Sequence, residues 1–386
     1  MHKYFTILLF LFCINAQAQQ SDTALISQLM DAIAKEQVQQ TGKDFYAGMF
    51  PSYRECGGAP HNYQPDNNIF YTAVSVFALK NVLPYLSETN RIKAEAIITK
   101  AIAIYPLYRN KNGLPFYSFW ANKDRIMPHT YVFQYLKDVF GQSEDADDSV
   151  MALMGLDEND SDNTALKERM IEVSNLSQKK ITATFKRYKN IPAYSTWLGY
   201  RMPVDFDFGV HCNLLYFMLE KKLPLVKQDS ATISLLQQMI ANRDYIKSPV
   251  YISPYYVRTP VLLYHIARLM GRFAIPQLEG YKTQLIADIQ QQLTSCNNVM
   301  DQIILRTSLL RLGSATPPLE LNNLQEFEES NQQQFVFFQA RAAFSYPTPL
   351  KQIFLHWSYI YYYFYCPAYY KILWLEYLVE KEQKTK

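Results

Sequence analysis

The residues best suited to acid chemistry are three aspartates that fall within four consecutive positions, Asp145, Asp147 and Asp148. At helical spacing Asp145 and Asp148 lie on one side, with Asp147 beside them. Carboxylates this close raise one another's pKa, and a buried carboxyl held protonated in this way can act as a strong general acid. The alternative is an N-terminal helix cap, because aspartate at the N-cap and in the first turn stabilises a helix. The segment therefore predicts either an acid site or a cap.

A second group of titratable residues lies further along the chain. Asp207 and His211 are four residues apart on one predicted helix, where they could hydrogen-bond or share a metal. A capped helix with a satisfied histidine is the alternative. Arg258 and His265, on the next apolar helix, are similar candidates. The chain has no Gly-rich phosphate loop, GxSxG or HExxH motif, and we expect neither a metal nor a cofactor.

The elements that must position these residues are predicted to be helices. Hydrophobic residues make up 49% of the chain and charged residues 19%, which is enough for a large core, and strand signals are almost absent. Six segments open with a polar or aromatic tip and then become apolar on all sides, and more amphipathic helices lie between most of them. These six apolar runs are Phe70 to Leu79, Val150 to Leu156, Val210 to Leu219, Val261 to Met270, Met300 to Leu312 and Tyr359 to Tyr370. Buried helices alternating with amphipathic ones predict an all-α fold, an (α/α)6 toroid of helical hairpins with almost no sheet.

Parallel inner helices of such a toroid would bring their N-terminal ends to one rim. The residues expected at this rim are Asp145, Asp147, Asp148, Asp205, Asp207, Tyr256 and Asn298. Aromatic side chains on or near the same helices are candidates for binding a substrate: Trp197, Tyr255, Tyr256, Tyr264, Trp357 and Tyr361, with Tyr362 and Phe364 close by. The alternative for the aromatic residues is ordinary core packing.

One segment resembles a known family. The sequence DADDSVMAL from Asp145 to Leu153 is similar to the DxDD-[ST]-A segment of class II terpene cyclases, the squalene–hopene and diterpene cyclase superfamily. The resemblance implies an α/α toroid in which Asp147 protonates an alkene or epoxide, while Asp145 and Asp148 tune and orient it. It also implies that aromatic faces stabilise the resulting cation. The similarity covers fewer than a dozen residues, the Gln-Trp repeats of triterpene cyclases are absent, and the chain has room for one toroid rather than two.

Three classes of function are compatible with these features. The first is a terpene-cyclase-like enzyme that carries out acid chemistry on an isoprenoid or another lipid. The second is a carbohydrate-active (α/α)6 glycosidase or lyase, which also uses paired carboxylates. The third is a non-catalytic toroid that binds a hydrophobic ligand. The expected partner is thus a hydrophobic small molecule or lipid; a formal charge of only +3 argues against nucleic acid.

The N-terminus has the pattern of an export signal. Lys3 is followed by an apolar stretch from Phe5 to Ile14, and Ala16-Gln17-Ala18 is a small-x-small cleavage site. We expect residues 1–18 to be removed and residues 19–386 to form a single domain in the periplasm or outside the cell. No later stretch is long and apolar enough to predict a transmembrane helix in the mature chain.

Overall fold

The computed structural model describes residues 22–122, 144–157, 159–330, 335–341, 350–354 and 357–385. The predicted signal segment, residues 1–18, lies outside the described residues. Within them the chain forms sixteen α-helices and four β-strands, so the prediction of a helix-rich protein is confirmed.

The first eight α-helices are α1 (Asp22–Glu36), α2 (Phe70–Val82), α3 (Glu88–Ile102), α4 (Ala146–Gly155), α5 (Asp160–Glu172), α6 (Phe208–Glu220), α7 (Lys227–Ala241) and α8 (Asp244–Lys247). The other eight are α9 (Pro249–Ile252), α10 (Thr259–Arg272), α11 (Pro276–Glu279), α12 (Lys282–Ser295), α13 (Val299–Arg311), α14 (Leu324–Glu329), α15 (Leu350–Phe354) and α16 (Pro367–Thr385). Short 3₁₀ helices lie at Leu83–Tyr85, Tyr105–Leu107, Lys186–Tyr188 and Ser358–Ile360. The strands are β1 (Ser52–Cys56), β2 (Ala59–Asp66), β3 (Phe338–Arg341) and β4 (Tyr361–Tyr365).

Six helices are buried along most of their length: α2, α4, α6, α10, α13 and α16. Each of them packs against the next one in chain order, and α16 also packs against α2. A helix that is apolar on every side must be covered on every side, which explains why each of these helices has another on both flanks.

The amphipathic helices pack against the buried ones. Helix α1 packs against α16, α3 against α2, α7 against α6 and α12 against α13. Helix α1 buries Leu25, Leu29 and Ile33, which recur every four residues and form one apolar stripe. The predicted alternation of buried and amphipathic helices is therefore present in the described part of the chain.

A four-stranded antiparallel sheet corrects the all-α prediction. Its strand order is β2-β1-β4-β3, and β4 pairs with β1 on one side and with β3 on the other. The predicted sixth apolar helix, Tyr359 to Tyr370, is wrong in its first half, because Tyr361–Tyr365 is strand β4 and helix α16 begins only at Pro367. Tyrosine and phenylalanine favour strands when partners are available, and here β1 and β3 provide them.

The sheet is fastened to the N-terminal end of α2. The Tyr71 hydroxyl donates to the Phe364 carbonyl of β4 over 2.7 Å. Arg54 of β1 forms a buried ion pair with Asp66 over 2.6 Å, and Trp120 Nε1 donates to the same carboxylate. The ion pair offsets part of the cost of burying both charges, although burial still raises the pKa of Asp66.

Two further properties bear on function. Cys56, Cys212, Cys296 and Cys366 are all free thiols, so no disulfide links the described residues. In the same part of the chain, no helix combines the length and the apolarity needed to cross a lipid bilayer.

Candidate functional site

Asp145 is the N-cap of α4. Its Oδ1 accepts hydrogen bonds from the backbone N–H groups of Asp147 (2.6 Å) and Asp148 (3.2 Å). Its own N–H donates to the Tyr117 carbonyl, and the Ala146 N–H donates to the Thr196 carbonyl. Asp145 is thus a helix cap, and this capping presents the next two carboxyls in the first turn of α4.

Asp147 is buried and accepts a hydrogen bond at each oxygen. Asn213 Nδ2 of α6 donates to its Oδ1 over 2.7 Å, and the Tyr256 hydroxyl donates to its Oδ2. The Arg268 guanidinium of α10 donates to Asn213 Oδ1. Because a guanidinium carries only donors, the Asn213 oxygen must face Arg268, and its NH₂ group must face Asp147. Three helices therefore fix the orientation of this carboxyl.

The acid cluster formed by Asp145, Asp147 and Asp148 retains protons more strongly than isolated carboxyls do. Burial raises the pKa of Asp147 to about 6, although the hydrogen bonds from Tyr256 and Asn213 lower it. Burial and the neighbouring carboxylates raise the pKa of Asp145 and of Asp148 well above their usual range. Asp148 Oδ2 is buried without a hydrogen-bond partner. Because all three pKa values are raised, at least one carboxyl of the cluster is favoured to be neutral at neutral pH.

The N-terminal end of α6 lies beside that of α4. Asp207, the N-cap of α6, accepts hydrogen bonds from the Val210 N–H (3.1 Å), the Ser253 hydroxyl (2.6 Å) and the Tyr255 N–H (2.9 Å). Burial raises its pKa even so, and its charge in turn raises the pKa of Asp147. Asp207 therefore ties the segment that carries Tyr255 to the tip of α6, and it contributes charge to the site.

One short segment connects these two tips directly. The Thr196 carbonyl accepts from the N–H of Ala146, and the Thr196 N–H donates to the Asp205 carbonyl over 3.0 Å. Burial raises the pKa of the Asp205 side chain to about 7, while the charge of Lys351 and the Tyr255 hydroxyl lower it. The structure thus brings the predicted rim residues Asp145, Asp147, Asp148, Asp205, Asp207 and Tyr256 together.

His211 lies elsewhere on α6. Its Nε2 is 2.9 Å from the Tyr194 carbonyl, so Nε2 carries the proton and Nδ1 carries the lone pair. Burial lowers its pKa to about 4, which keeps the ring neutral. Since His211 and Asn213 are two residues apart, they lie on nearly opposite sides of the helix, and Asn213 is the one that faces Asp147. The structure does not bring His211 to the acid cluster.

Aromatic rings surround Tyr256, the tyrosine that donates to Asp147. The Tyr256 ring lies 4.3 Å from the His265 ring, 5.8 Å from that of Phe338 and 6.2 Å from that of Phe70. Phe338 of β3 stacks on Phe70 at 4.7 Å and on Tyr255 at 6.3 Å. We refer to the following connected rings as the aromatic cluster: Phe70, Phe119, Trp197, Tyr255, Tyr256, Phe338 and Phe364. Two of its members come from the sheet that the sequence did not predict.

Tyr264 occupies a different position from the aromatic cluster. Its hydroxyl donates to Glu376, and the Arg268 and Arg311 guanidinium groups lie 5.4 and 5.2 Å from the centre of its ring. Arg311 also pairs with Glu376 over 3.1 Å. Tyr264 therefore belongs to a buried ionic network between α10, α13 and α16, and it is connected to the site through Arg268 and the His265 ring.

Three more predicted residues also lie apart from the acid cluster. Trp357 is 51% exposed and stacks on Phe354. Tyr361 lies in β4, with its ring 4.3 Å from the Arg341 guanidinium. Asn298 caps α13 through its hydrogen bonds to the first turn of that helix. None of these three side chains contacts the acid cluster in the described structure.

Several residues of the site escaped the sequence analysis. Asn213 and Arg268 are single polar residues inside otherwise apolar helices, which is a signal that sequence reasoning could have used. Phe338, Arg341 and Lys351 had no such signal, because their position depends on strand pairing and loop packing.

Among the described residues, no group of three or more His, Cys, Asp or Glu side chains has an arrangement that could hold a metal ion. Comparison with known proteins gives no match: no family model, no curated protein and no solved structure is significantly similar to this chain.

Proposed function

We propose that the six buried helices form the inner ring of an α/α toroid, with the amphipathic helices outside it. The proposal is supported by the contacts of α2, α4, α6, α10, α13 and α16, each with the next and the last with the first. It is also supported by the proximity of the α4 and α6 tips, since parallel inner helices begin at one rim. The sheet would then lie on that rim, beside the tip of α2.

We infer that the acid cluster protonates an apolar, unsaturated substrate such as an isoprenoid, as the class II terpene cyclases that its DADD segment resembles do. The observation that carries this inference is the environment of Asp147. Its carboxyl is 4% exposed, has a pKa of about 6 and is bonded to a tyrosine inside a group of aromatic rings. A carboxyl poised near neutral pH in an apolar setting is suited to donate a proton.

The reaction is balanced without a cofactor. A proton passes from the carboxyl to one alkene carbon, the π electrons form the new C–H bond, and the other carbon becomes a tertiary cation. In cyclisation, a second alkene attacks the cation, and its π electrons form the ring C–C bond and leave the positive charge on a new carbon. A C–H bond next to the cationic carbon then loses its proton to solvent to give the neutral cyclic alkene; the same proton loss without ring closure gives an isomer. Each aromatic face near the cation contributes about 0.5–2 kcal/mol. Solvent finally returns a proton to the carboxylate.

Burial argues for an apolar substrate over a carbohydrate. Asp147, Asp148, Asp205 and Asp207 are each at most 4% exposed. A glycosidase needs two carboxyls that flank a sugar in a cleft with access for water. The described site has its acids among phenyl and phenol rings instead, and this favours the terpene-cyclase-like function.

The test is turnover in D₂O. Purified protein is incubated with squalene or geranylgeraniol, and the products are analysed by gas chromatography and mass spectrometry. We expect a cyclised or isomerised product that carries one deuterium per protonation event. Asp147→Asn should abolish it, whereas Asp160→Asn, which changes an exposed carboxyl in the first turn of α5, should not.

Two results would contradict the proposal. If the substrate is recovered unlabelled at every pH between 5 and 8, the protein does not protonate it, and the non-catalytic toroid that binds a hydrophobic ligand becomes the favoured alternative. Release of reducing sugar from a polysaccharide by the wild type, lost in Asp147→Asn, would identify a carbohydrate-active enzyme.

We also propose that the protein is exported, on the basis of its N-terminal sequence. N-terminal sequencing of protein from the producing cell should find a chain that starts at Gln19. A mature protein that keeps Lys3 would contradict export by this signal.

A further inference from the structure

Two stretches of the chain contain basic residues and no acidic ones. Residues 173–204 include six lysine or arginine side chains and neither aspartate nor glutamate, and residues 330–375 include three lysine or arginine side chains and again no acid. Since the formal charge of the whole chain is only +3, the rest of the chain is net negative. A separation of charge of this kind indicates a surface that attracts a partner of the opposite sign.

A buried lysine brings the two stretches together. The Lys351 ammonium of α15 donates to the Ala183 carbonyl over 2.8 Å and to the Tyr251 carbonyl over 3.1 Å. The Tyr251 ring in turn lies 4.4 Å from the ring of Phe185. We refer to residues 179–189 as the basic segment, and α15 lies against its middle.

The basic segment presents free positive charge on both sides of this contact. Lys180 and Lys186 are exposed, and each lies three residues from Ala183, which is at most about 11 Å along the chain. Among the described residues neither of these lysines pairs with a carboxylate, whereas Arg187 pairs with Asp244 over 2.6 Å. The two lysines therefore lie about one Debye length or less from the point where α15 meets the segment.

Helix α15 presents apolar side chains away from the basic segment. Lys351 and Ile353 are two residues apart and so lie on nearly opposite sides of the helix, which directs Ile353 to solvent when Lys351 is buried. The Trp357 N–H donates to the Phe354 carbonyl over 3.2 Å and its ring stacks on the Phe354 ring, so Trp357 continues the same surface. We refer to the following side chains, which are 44 to 65% exposed, as the apolar patch: Leu350, Ile353, Trp357 and Tyr359.

The composition of this surface favours a lipid bilayer as its partner. Large apolar side chains that are exposed together mark a binding surface. Tryptophan and tyrosine are enriched where proteins meet the boundary between lipid and water, and lysines beside them attract anionic headgroups. A second copy of the chain fits less well, because a symmetric contact through the patch would bring two basic segments face to face.

We propose that the apolar patch inserts into the surface of an anionic lipid bilayer while Lys180 and Lys186 bind its headgroups. The docking is peripheral, since the patch reaches only the boundary between headgroups and acyl chains. It goes beyond the proposed acid chemistry and does not depend on it. An apolar substrate dissolves in the bilayer, so docking would place the protein where such a substrate is concentrated.

The test is co-sedimentation of the mature protein with vesicles. One set contains phosphatidylcholine and phosphatidylglycerol in a two-to-one ratio, and the other contains phosphatidylcholine alone. We expect the protein to partition at least tenfold more strongly onto the anionic vesicles. The difference should disappear in about 1 M NaCl, where the Debye length falls to about 3 Å.

A substitution in the apolar patch tests the insertion. Ile353→Ser should weaken partitioning onto anionic vesicles at least tenfold, which corresponds to about 1.4 kcal/mol. Its thermal midpoint should stay that of the wild type, because the side chain is 65% exposed and buries little on folding. Ile92→Ser is the matched control: Ile92 is 56% exposed on α3, and its replacement should leave partitioning unchanged.

Charge reversal tests the contact with headgroups. The double variant with Lys180→Glu and Lys186→Glu should also partition at least tenfold more weakly onto the anionic vesicles. The control with Lys43→Glu and Lys111→Glu makes the same change in net charge at two other exposed lysines and should partition as the wild type does. Equal losses in the two double variants would show that net charge alone attracts the protein and would overturn the role of the basic segment.

Tryptophan fluorescence locates the contact. Phosphatidylcholine brominated on its acyl chains should quench part of the emission when the protein docks, because Trp357 is exposed in the patch. Trp357→Phe should remove this quenching, since Trp374, which is 0% exposed, stays inside the protein. Quenching that persists in Trp357→Phe would place the membrane contact elsewhere and overturn the proposal.

Three other results would overturn it. The first is a wild type that binds neither set of vesicles, and the second is an Ile353→Ser variant that partitions as the wild type does. The third is a dimer in sedimentation velocity that Ile353→Ser dissociates, which would identify the patch as a contact between copies of the chain. Deuterium incorporation into a detergent-solubilised substrate does not need the patch, so the acid chemistry stands or falls separately.

Discussion

Replacing Asp147 by asparagine should stabilise the folded protein above pH 6. Folding raises the pKa of this carboxyl from its ordinary value of 3.8 to about 6, mainly by burial. The difference corresponds to about 3 kcal/mol that the folded state loses when the carboxyl ionises. An asparagine removes this loss and retains both hydrogen bonds, because its oxygen can accept from Asn213 and its NH₂ can donate to the Tyr256 oxygen.

The pH dependence of this effect follows from the direction of the shift. Below about pH 4 the wild-type carboxyl is protonated in both states, so the two proteins should be equally stable. Between about pH 4 and pH 6 the unfolded chain ionises first and the wild type loses stability relative to the variant. Above about pH 6 the gap should reach its full value of about 3 kcal/mol and stay constant.

The assay is urea denaturation followed by far-ultraviolet circular dichroism at half-unit steps from pH 4 to pH 8. Asp160→Asn serves as the control, since this carboxyl is exposed at the start of α5 and its loss should change stability by less than about 0.5 kcal/mol. A variant at position 147 that is less stable than the wild type at pH 8 would refute the reasoning. It would mean that the helix N-terminus and the two donors stabilise the carboxylate more than burial destabilises it, and that Asp147 is part of an ordinary cap.

Three further substitutions test the architecture of the site. Tyr256→Phe removes a donor that favours the ionised Asp147, so the pKa of Asp147 should rise. In the same urea series, the loss of stability with increasing pH should then extend to a higher pH; a shift to lower pH would contradict the hydrogen bond. Asn213→Leu removes the amide that bonds to both Asp147 and Arg268, so the free energy of unfolding should fall by about 3–5 kcal/mol. A loss below about 1 kcal/mol would show that this connection between α4, α6 and α10 is not formed. Gly209→Ala places a Cβ 2.4 Å from the Tyr256 ring, so it should lower the free energy of unfolding by about 1–3 kcal/mol and impair any turnover. Gly280→Ala is the control and should be neutral, because no atom lies within 4 Å of its new Cβ; equal thermal midpoints for the two variants would refute the close approach of Gly209 to Tyr256.

Part of the candidate site follows from local chemistry and was predictable. Asp145 and Asp207 precede apolar helical runs, and both cap the helices that follow. A cap bonds to backbone groups two or three residues away, so its signal is contained within one short stretch of sequence. The alternation of helices predicted that the N-terminal ends of α4 and α6 lie close together, and the hydrogen bonds of Thr196 and Tyr255 agree with this prediction.

The partners of the acid were not predictable in this way. Asp147 bonds to Asn213, 66 residues away, and to Tyr256, 109 residues away. The register between two packed helices determines which side chain of α6 faces α4. His211 and Asn213 are equally polar candidates in the sequence. Only the rotation of α6 about its own axis directs His211 to the Tyr194 carbonyl and Asn213 to the Asp147 carboxyl.

The sequence by itself determined the helical character of the chain, the positions at which most buried helices begin and the acid cluster in the first turn of α4. Each of these depends on side-chain periodicity or on capping, and both act over a few residues. The tertiary structure decided that Tyr361–Tyr365 is a strand and that Phe338 completes the aromatic cluster. A strand is stabilised by hydrogen bonds to partners that can lie anywhere in the chain, so a run of aromatic residues does not reveal whether those partners exist. The raised pKa of Asp147 has the same origin, because the burial that raises it comes from helices and strands that meet only in the folded protein.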